Sequence, residues 1–173
     1  ITKRNCERTI FMEISTGVTL PDATLLMKDA DGIHSVSLAD KMRGRNVIIF
    51  AVPGAFTPTC SSAHVPSFIR TKDAFAAKGV NEIICISVND PHVMHAWGEA
   101  TGATEAGITM LADAESAFTK AIGMDFTAPP VGLIARAKRF AMYVVDGVVK
   151  VYAPEVGTGV CDLSGGEALL EQI

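Results

Sequence analysis

Proline, threonine and cysteine cluster in Pro53-Gly54-Ala55-Phe56-Thr57-Pro58-Thr59-Cys60, and these residue types at this spacing can build thiol chemistry. The thiolate of a cysteine is a strong nucleophile. Thr57-Pro58 reads as a helix N-cap followed by proline at the first helical position. That places Cys60 at the third helical position. Amides in the first turn have no partner inside the helix, and the positive end of the helix dipole favours negative charge there. His64 follows four residues later and shares the helix face with Cys60. A Cys–His pair for acyl transfer would use this spacing. No oxyanion machinery or third member is written nearby, so His64 reads as structural.

Ionisation alone does not make such a thiol fast. An unperturbed thiol near pKa 8.5 is only a few per cent thiolate at neutral pH, and lowering it to about 6 needs roughly 3.4 kcal/mol. A helix terminus supplies at most about 2 kcal/mol, so a nearby cation is expected. Nucleophilicity falls as the pKa falls, by nearly tenfold over about 2.5 units, so the roughly thirtyfold gain from ionisation nets only a few fold. A fast thiol must stabilise its transition state. If it attacks an O–O bond, negative charge builds on the departing oxygen, which calls for a hydroxyl, backbone N–H groups and a fixed cation. Thr57 and the amides around Cys60 supply the first two, although Thr57 could instead be spent on capping. Pro53 has no N–H and would shape the pocket and shield the sulfur. Arg136, Lys138 and Arg139 are the cation candidates. A guanidinium offers fixed planar donors, and Arg139 leads directly into the apolar run Phe140–Val145, which would hold it rigidly.

A thiol oxidised to sulfenic acid needs a second thiol to resolve it. Cys85 lies in an apolar strand and reads as core. Cys161 lies in a loop just before the last helix and is more available. An external thiol is the third option, and Cys6 reads as incidental. No pair of cysteines is spaced C-x-x-C, which argues against a zinc ribbon or a thioredoxin-type redox motif. His92 and His95 would need a third ligand to bind metal; they read as a solvated helix face.

The stretch Pro53–Cys60 (PGAFTPTC), with Ser87–Asp90 (SVND) and Lys138–Met142 (KRFAM), resembles the type II peroxiredoxins, the atypical two-cysteine branch. The similarity runs from about Gly17 to the C-terminus. It implies a thioredoxin-like fold and a peroxidatic role for Cys60, and it puts the family's essential arginine at Arg139. In some members a resolving cysteine follows a G-T-G-x-x segment. Here Gly157-Thr158-Gly159-Val160 precedes Cys161, one residue shorter than that pattern.

The elements that must position these residues are partly readable. Val47–Val52 is an unbroken apolar run, short and β-forming, stopped by Pro53-Gly54. Glu82–Val88 reads as a second buried strand and Asp90-Pro91 as a capped helix start. Thr109–Ala112 reads as a strand and Ser116–Ile122 as a short helix. Asp31-Gly32 and Asp146-Gly147 read as hairpin turns. A short strand is expected at Ile10–Ile14, one helical turn at Leu38–Met42, and a kink at Pro66 in the Cys60 helix, which Gly79 ends. Gly123–Lys138 reads as a long loop, and Ser164–Glu167 as a capping box opening a helix to Ile173. The expectation is an α/β class fold, thioredoxin-like. A mixed central sheet is flanked by helices, with an N-terminal β-hairpin extension, in one domain over residues 1–173.

With 173 residues, 49% hydrophobic and 20% charged, the chain reads as globular. A net charge of −4 without a basic run argues against nucleic acid and an anionic membrane surface. No apolar run is long enough to span a bilayer. The chain opens on isoleucine, so a processed or truncated start is expected. Four sparse cysteines suit a reducing intracellular compartment, cytoplasmic or mitochondrial. The reading is a thiol-dependent peroxidase for hydrogen peroxide and organic hydroperoxides, with no cofactor or metal. Its reductant would be of thioredoxin, glutaredoxin or glutathione type, and a homodimer is a candidate assembly. The rivals are a thiol–disulfide oxidoreductase and a non-enzymatic redox sensor.

Overall fold

The computed structural model describes residues 12–173, so Cys6 and the first part of the expected Ile10–Ile14 strand lie outside the described residues. Residues 12–15 carry no strand. Seven strands form one sheet in the order β2-β1-β5-β4-β3-β8-β9. They are β1 (Thr24–Asp29), β2 (Gly32–Ser37), β3 (Asn46–Val52), β4 (Glu82–Ser87), β5 (Thr109–Ala112), β8 (Phe140–Val145) and β9 (Val148–Pro154). β3, β4 and β5 run parallel; β8 and β1 pair antiparallel to β3 and β5. The helices are α1 (Leu38–Met42), α2 (Val65–Ala77), α3 (Pro91–Thr101), α4 (Ala117–Ala121) and α5 (Gly166–Leu170). This is the expected thioredoxin-like mixed sheet, with the β1–β2 hairpin as the N-terminal addition.

Alternation along β3 explains the layers. Val47, Ile49 and Ala51 face one core with Leu38, Met42 and Phe118 of α1 and α4. Ile48, Phe50 and Val52 face the other, with Phe68, Trp97 and Leu169 of α2, α3 and α5. Burial on both faces is why β3 reads as a continuous apolar run.

Several local expectations change. Gly123–Lys138 is a second, two-stranded sheet: β6 (Asp125–Ala128) and β7 (Leu133–Ala137) pair antiparallel around a 3-10 turn at Pro129–Val131. The prolines that suggested a loop occupy its tip. The first hairpin turns at Ala30-Asp31, with Asp29 paired to Gly32, whose φ is +116°. Turn geometry puts the glycine after the bend rather than within it. The Asp146-Gly147 turn is as expected, with φ of +47° and +78°. Ser164 does not cap α5. Its hydroxyl donates to Glu155 Oε1, the cap position falls on Gly165, and the Gly166 amide bonds to Ser67 Oγ instead. The helix stops at Leu170, short of Ile173. In the Cys60 helix, Pro66 stands in the first turn of α2, directly after a π turn at Cys60–His64. The wider turn makes room for the ring where a regular helix would clash.

Close approach locks α5 onto α2. A Cβ on Gly166 would stand 2.6 Å from the Ser67 carbonyl oxygen and against Thr71 Oγ1. Gly166→Ala should therefore cost about 1–3 kcal/mol, read as a lower midpoint in urea unfolding; an unchanged midpoint would show that α5 can shift freely.

Candidate active site

Three strand ends converge beyond Val52. In the parallel pair, Val52 lies opposite Ser87, so Asn89 emerges beside the Pro53–Thr57 loop. In the antiparallel pair, Ala51 lies opposite Phe140, so the residue before β8 is Arg139, at the same edge. Phe140 in turn pairs with Pro154, and the Glu155 amide donates to the Arg139 carbonyl. The irregular segment 155–165 thus begins beside Arg139. Here strand order reverses about β3, a switch point at which open α/β sheets form clefts.

The Pro53–Thr57 loop is pinned at successive residues. Arg136 Nη1 donates to the Pro53 carbonyl at 3.2 Å, Thr57 Oγ1 donates to the Gly54 carbonyl at 2.6 Å, and the Ala55 amide donates to Asn89 Oδ1 at 3.0 Å. Gly54 has no Cβ because Arg136 Nη1 would lie 2.7 Å from it. Phe56 has a φ of +59°, and 59% of its surface is exposed. Thr57 stands at the N-cap position, but no first-turn amide donates to its Oγ1, and its proton goes to the Gly54 carbonyl. The helix does begin at Pro58, and Cys60 occupies its third position.

Cys60 is 1% exposed and Arg139 2%. Arg139 Nη2 donates to Cys60 Sγ at 3.1 Å and to the Thr158 carbonyl at 2.9 Å. Nη1 lies 2.9 Å from His64 Nδ1, and the buried Nε–H has no partner among the described residues. His64 Nε2 lies 2.9 Å from the Ser164 carbonyl. Burial and the neighbouring Arg139 charge push the His64 pKa from 6.5 down to about 3, so the ring is neutral. Of the expected cations, Arg139 meets the thiol, Arg136 holds the Pro53 carbonyl, and Lys138 is exposed. Pro53, Thr57, Pro58, Val131, Leu133 and Arg139 line a cavity of about 400 Å³ beside Cys60.

Cys85 is fully buried on β4, and burial pushes its thiol well above the ordinary value. Cys161 is half-buried on the 155–165 segment. Burial raises its pKa too, with Arg139 acting in the opposite sense. Glu155 Oε1 fastens this segment by accepting from the amides of Leu163 and Ser164 at 2.6 Å each. Trp97 Nε1 donates to Ser61 Oγ at 2.9 Å, bracing the turn that carries Cys60. The contacts of His64, Asn89 and Trp97 were not foreseen, nor that Arg136 would hold the Pro53 carbonyl rather than meet the thiol; the helical spacing of Cys60 and His64, the Ser87–Asp90 motif and the place of Arg136 among the cations were the only hints.

The Redoxin family model matches residues 15–170. The chain is 44% identical over 169 residues to peroxiredoxin-2E-2, chloroplastic, of Oryza sativa subsp. japonica, covering 95% of this chain and 75% of the relative. It is 39% identical over 161 residues to peroxiredoxin-2B of Arabidopsis thaliana, covering 92% and 98%. The crystal structure of reduced Prx3 in complex with H2O2 from Vibrio vulnificus matches with a TM-score of 0.85 at 42% identity, covering 92% of this chain and 98% of that one.

A neutral buried histidine makes stability depend on pH. Its folded pKa, about 3, lies below the ordinary 6.5, so in this range the unfolded chain binds the proton and the folded one does not. Its penalty is absent above pH 6.5 and grows as pH falls towards 3, by about 1.4 kcal/mol per unit. Urea unfolding of the wild type and His64→Asn between pH 7 and 4 should show a steeper acid loss in the wild type. Parallel curves would contradict the assignment.

Proposed function

The chain belongs to the Redoxin family, in its type II peroxiredoxin branch, and we propose that its chemistry runs through Cys60. It is a thiol-dependent peroxidase. The observation that carries the residue assignment is the buried guanidinium of Arg139 donating to Cys60 Sγ at 3.1 Å.

In the proposed step, the Cys60 thiolate attacks the terminal oxygen of a hydroperoxide. The S–O bond forms, the O–O bond breaks, and the departing oxygen leaves as alkoxide or hydroxide and takes up a proton. Cys60 is left as sulfenic acid. Arg139 faces the sulfur through Nη2, its Nε–H has no partner among the described residues, and its charge stabilises the departing oxygen. Thr57 lines the cavity with its proton committed to Gly54, so its oxygen acts as acceptor for the peroxide O–H. Pro53 closes the wall without adding a competing donor. The apolar lining by Pro58, Val131 and Leu133 suits small organic hydroperoxides beside hydrogen peroxide.

A second thiol then attacks the sulfenic sulfur and water leaves. Cys161 is our candidate, because it lies on an irregular segment next to the site while Cys85 is sealed inside β4. The Cys60–Cys161 bond needs the two Cα atoms within about 7 Å, and in this reading the first turn of the Cys60 helix opens to present its buried sulfur. A thioredoxin-, glutaredoxin- or glutathione-type thiol would reduce the product. The rival reading as a thiol–disulfide oxidoreductase lacks a C-x-x-C pair to support it.

Peroxide consumption by Cys60→Ser should fall to background; retention of most of the rate would end this assignment. Arg139→Met should slow peroxide attack by about 10²–10³-fold, as loss of one charge-stabilising donor does, and alkaline pH should not restore the rate. Recovery at high pH would mean that only ionisation had been lost.

Peroxide-treated protein at low concentration, digested without reductant, should yield a Cys60–Cys161 peptide, and Cys161→Ser should lose turnover with a dithiol reductant. Turnover measured with each reductant class in turn identifies the one used. A Cys60–Cys85 peptide, or mixed disulfides on Cys60 alone with undiminished turnover, would overturn the role given to Cys161.

A further inference from the structure

The geometry points to His64 as a positioning residue for peroxide reduction: as a neutral imidazole it fixes the rotation of the Arg139 guanidinium that holds Nη2 on the Cys60 sulfur. This rests on the roles proposed above for Cys60 and Arg139.

The argument starts from the helix. Cys60 and His64 are four residues apart on one turn, so sulfur and Nδ1 project from the same face. The guanidinium meets this pair edge-on, with Nη2 on the sulfur at 3.1 Å and Nη1 on Nδ1 at 2.9 Å. Two acceptors on one rigid turn match the two terminal nitrogens of a planar fork. The tautomer follows from the other side of the ring. Nε2 lies 2.9 Å from the Ser164 carbonyl, which can only accept, so the proton is on Nε2 and Nδ1 keeps its lone pair for Arg139. Ring packing holds it as well: His64 packs in tilted geometry against Phe50 and Phe68, with centroids 5.0 and 5.6 Å away.

The remaining support for the guanidinium is of a different kind. Nη2 also bonds to the Thr158 carbonyl, but Thr158 lies on the irregular 155–165 segment. In the resolving step proposed above, that segment moves as Cys161 approaches Cys60. His64 stands on the helix that carries the sulfur; its Nε2 is anchored to Ser164 on the same segment, but Phe50 and Phe68 also hold the ring from the core side. Without an acceptor at this point, Nη1 would be a buried donor with no fixed direction, and the fork could rotate off the sulfur.

The test is a double-mutant cycle read in rapid-mixing measurements of peroxide attack on reduced protein. His64→Phe keeps the ring and removes the acceptor. It should lower the second-order rate constant by about ten- to a hundredfold, the scale of a misplaced catalytic group. His64→Asn, which returns an acceptor near the Nδ1 position, should recover most of the loss. In an Arg139→Met background, His64→Phe should cost nothing further, because the residue acts only through the arginine. A full rate in His64→Phe, or an equal loss in both backgrounds, overturns the inference. If Arg139→Met itself reacts at the wild-type rate, the earlier assignment of Arg139 fails instead. Should His64→Phe not fold, nitrogen NMR of the wild type decides: unprotonated Nδ1 with protonated Nε2 between pH 5 and 8 supports the arrangement, and protonation at Nδ1 refutes it.

Discussion

Arg139 carries a permanent positive charge in a place that water hardly reaches, and much of the site can be understood as an answer to that fact. A buried charge is costly unless it is paired and hydrogen-bonded. Among the described residues no carboxylate lies within ion-pair distance of this guanidinium. Its partners are a cysteine sulfur, a neutral imidazole and a backbone carbonyl. A carboxylate would have neutralised the cation and left the sulfur with little of its field. The arrangement directs that charge at the one group whose chemistry requires it.

The sheet makes this arrangement precise to a residue. Pairing of Ala51 with Phe140 leaves Arg139 at the edge from which the Cys60 loop departs. A slip of one residue would turn every side chain of β8 to the opposite face and present Lys138 or Phe140 in its place. The buried strand Phe140–Val145 opposes such a slip, since alternate residues are already committed to two different cores. Packing energy spent on the sheet is therefore also what fixes the guanidinium.

How much of this could be read from the chain depended on range. β3, the Asp90-capped α3 and the Asp146-Gly147 hairpin are governed by neighbours within a few residues, and each was legible. Cys60 and Arg139 were legible as candidates, the latter with help from family likeness. What failed was set by which partner won each group, and sequence position alone does not decide that. Ser164 has the spacing of a capping box, but Glu155 takes its hydroxyl and Ser67 takes the amide it would have served. Thr57 has the position of an N-cap, but its hydroxyl is oriented by the Gly54 carbonyl and no first-turn amide donates to it. The β6–β7 hairpin has only partly buried strands and two prolines at its tip, so it showed neither alternation nor an apolar run. His64 looked structural because its partners, Arg139 and Ser164, lie 75 and 100 residues further on.

The contact between Arg139 and the Cys60 sulfur spans 79 residues of chain. Closing so long a loop costs entropy that is recovered only once the sheet has assembled around it. During synthesis, the cysteine leaves the ribosome well before the arginine does, at a rate of about 5–20 residues per second. For those seconds the thiol lacks the guanidinium and the pocket, and has only the modest reactivity of an unactivated cysteine. Activation thus waits until β8 has joined the sheet beside the Cys60 loop. A nascent or misfolded chain is spared rapid oxidation before it has a structure in which oxidation can be reversed.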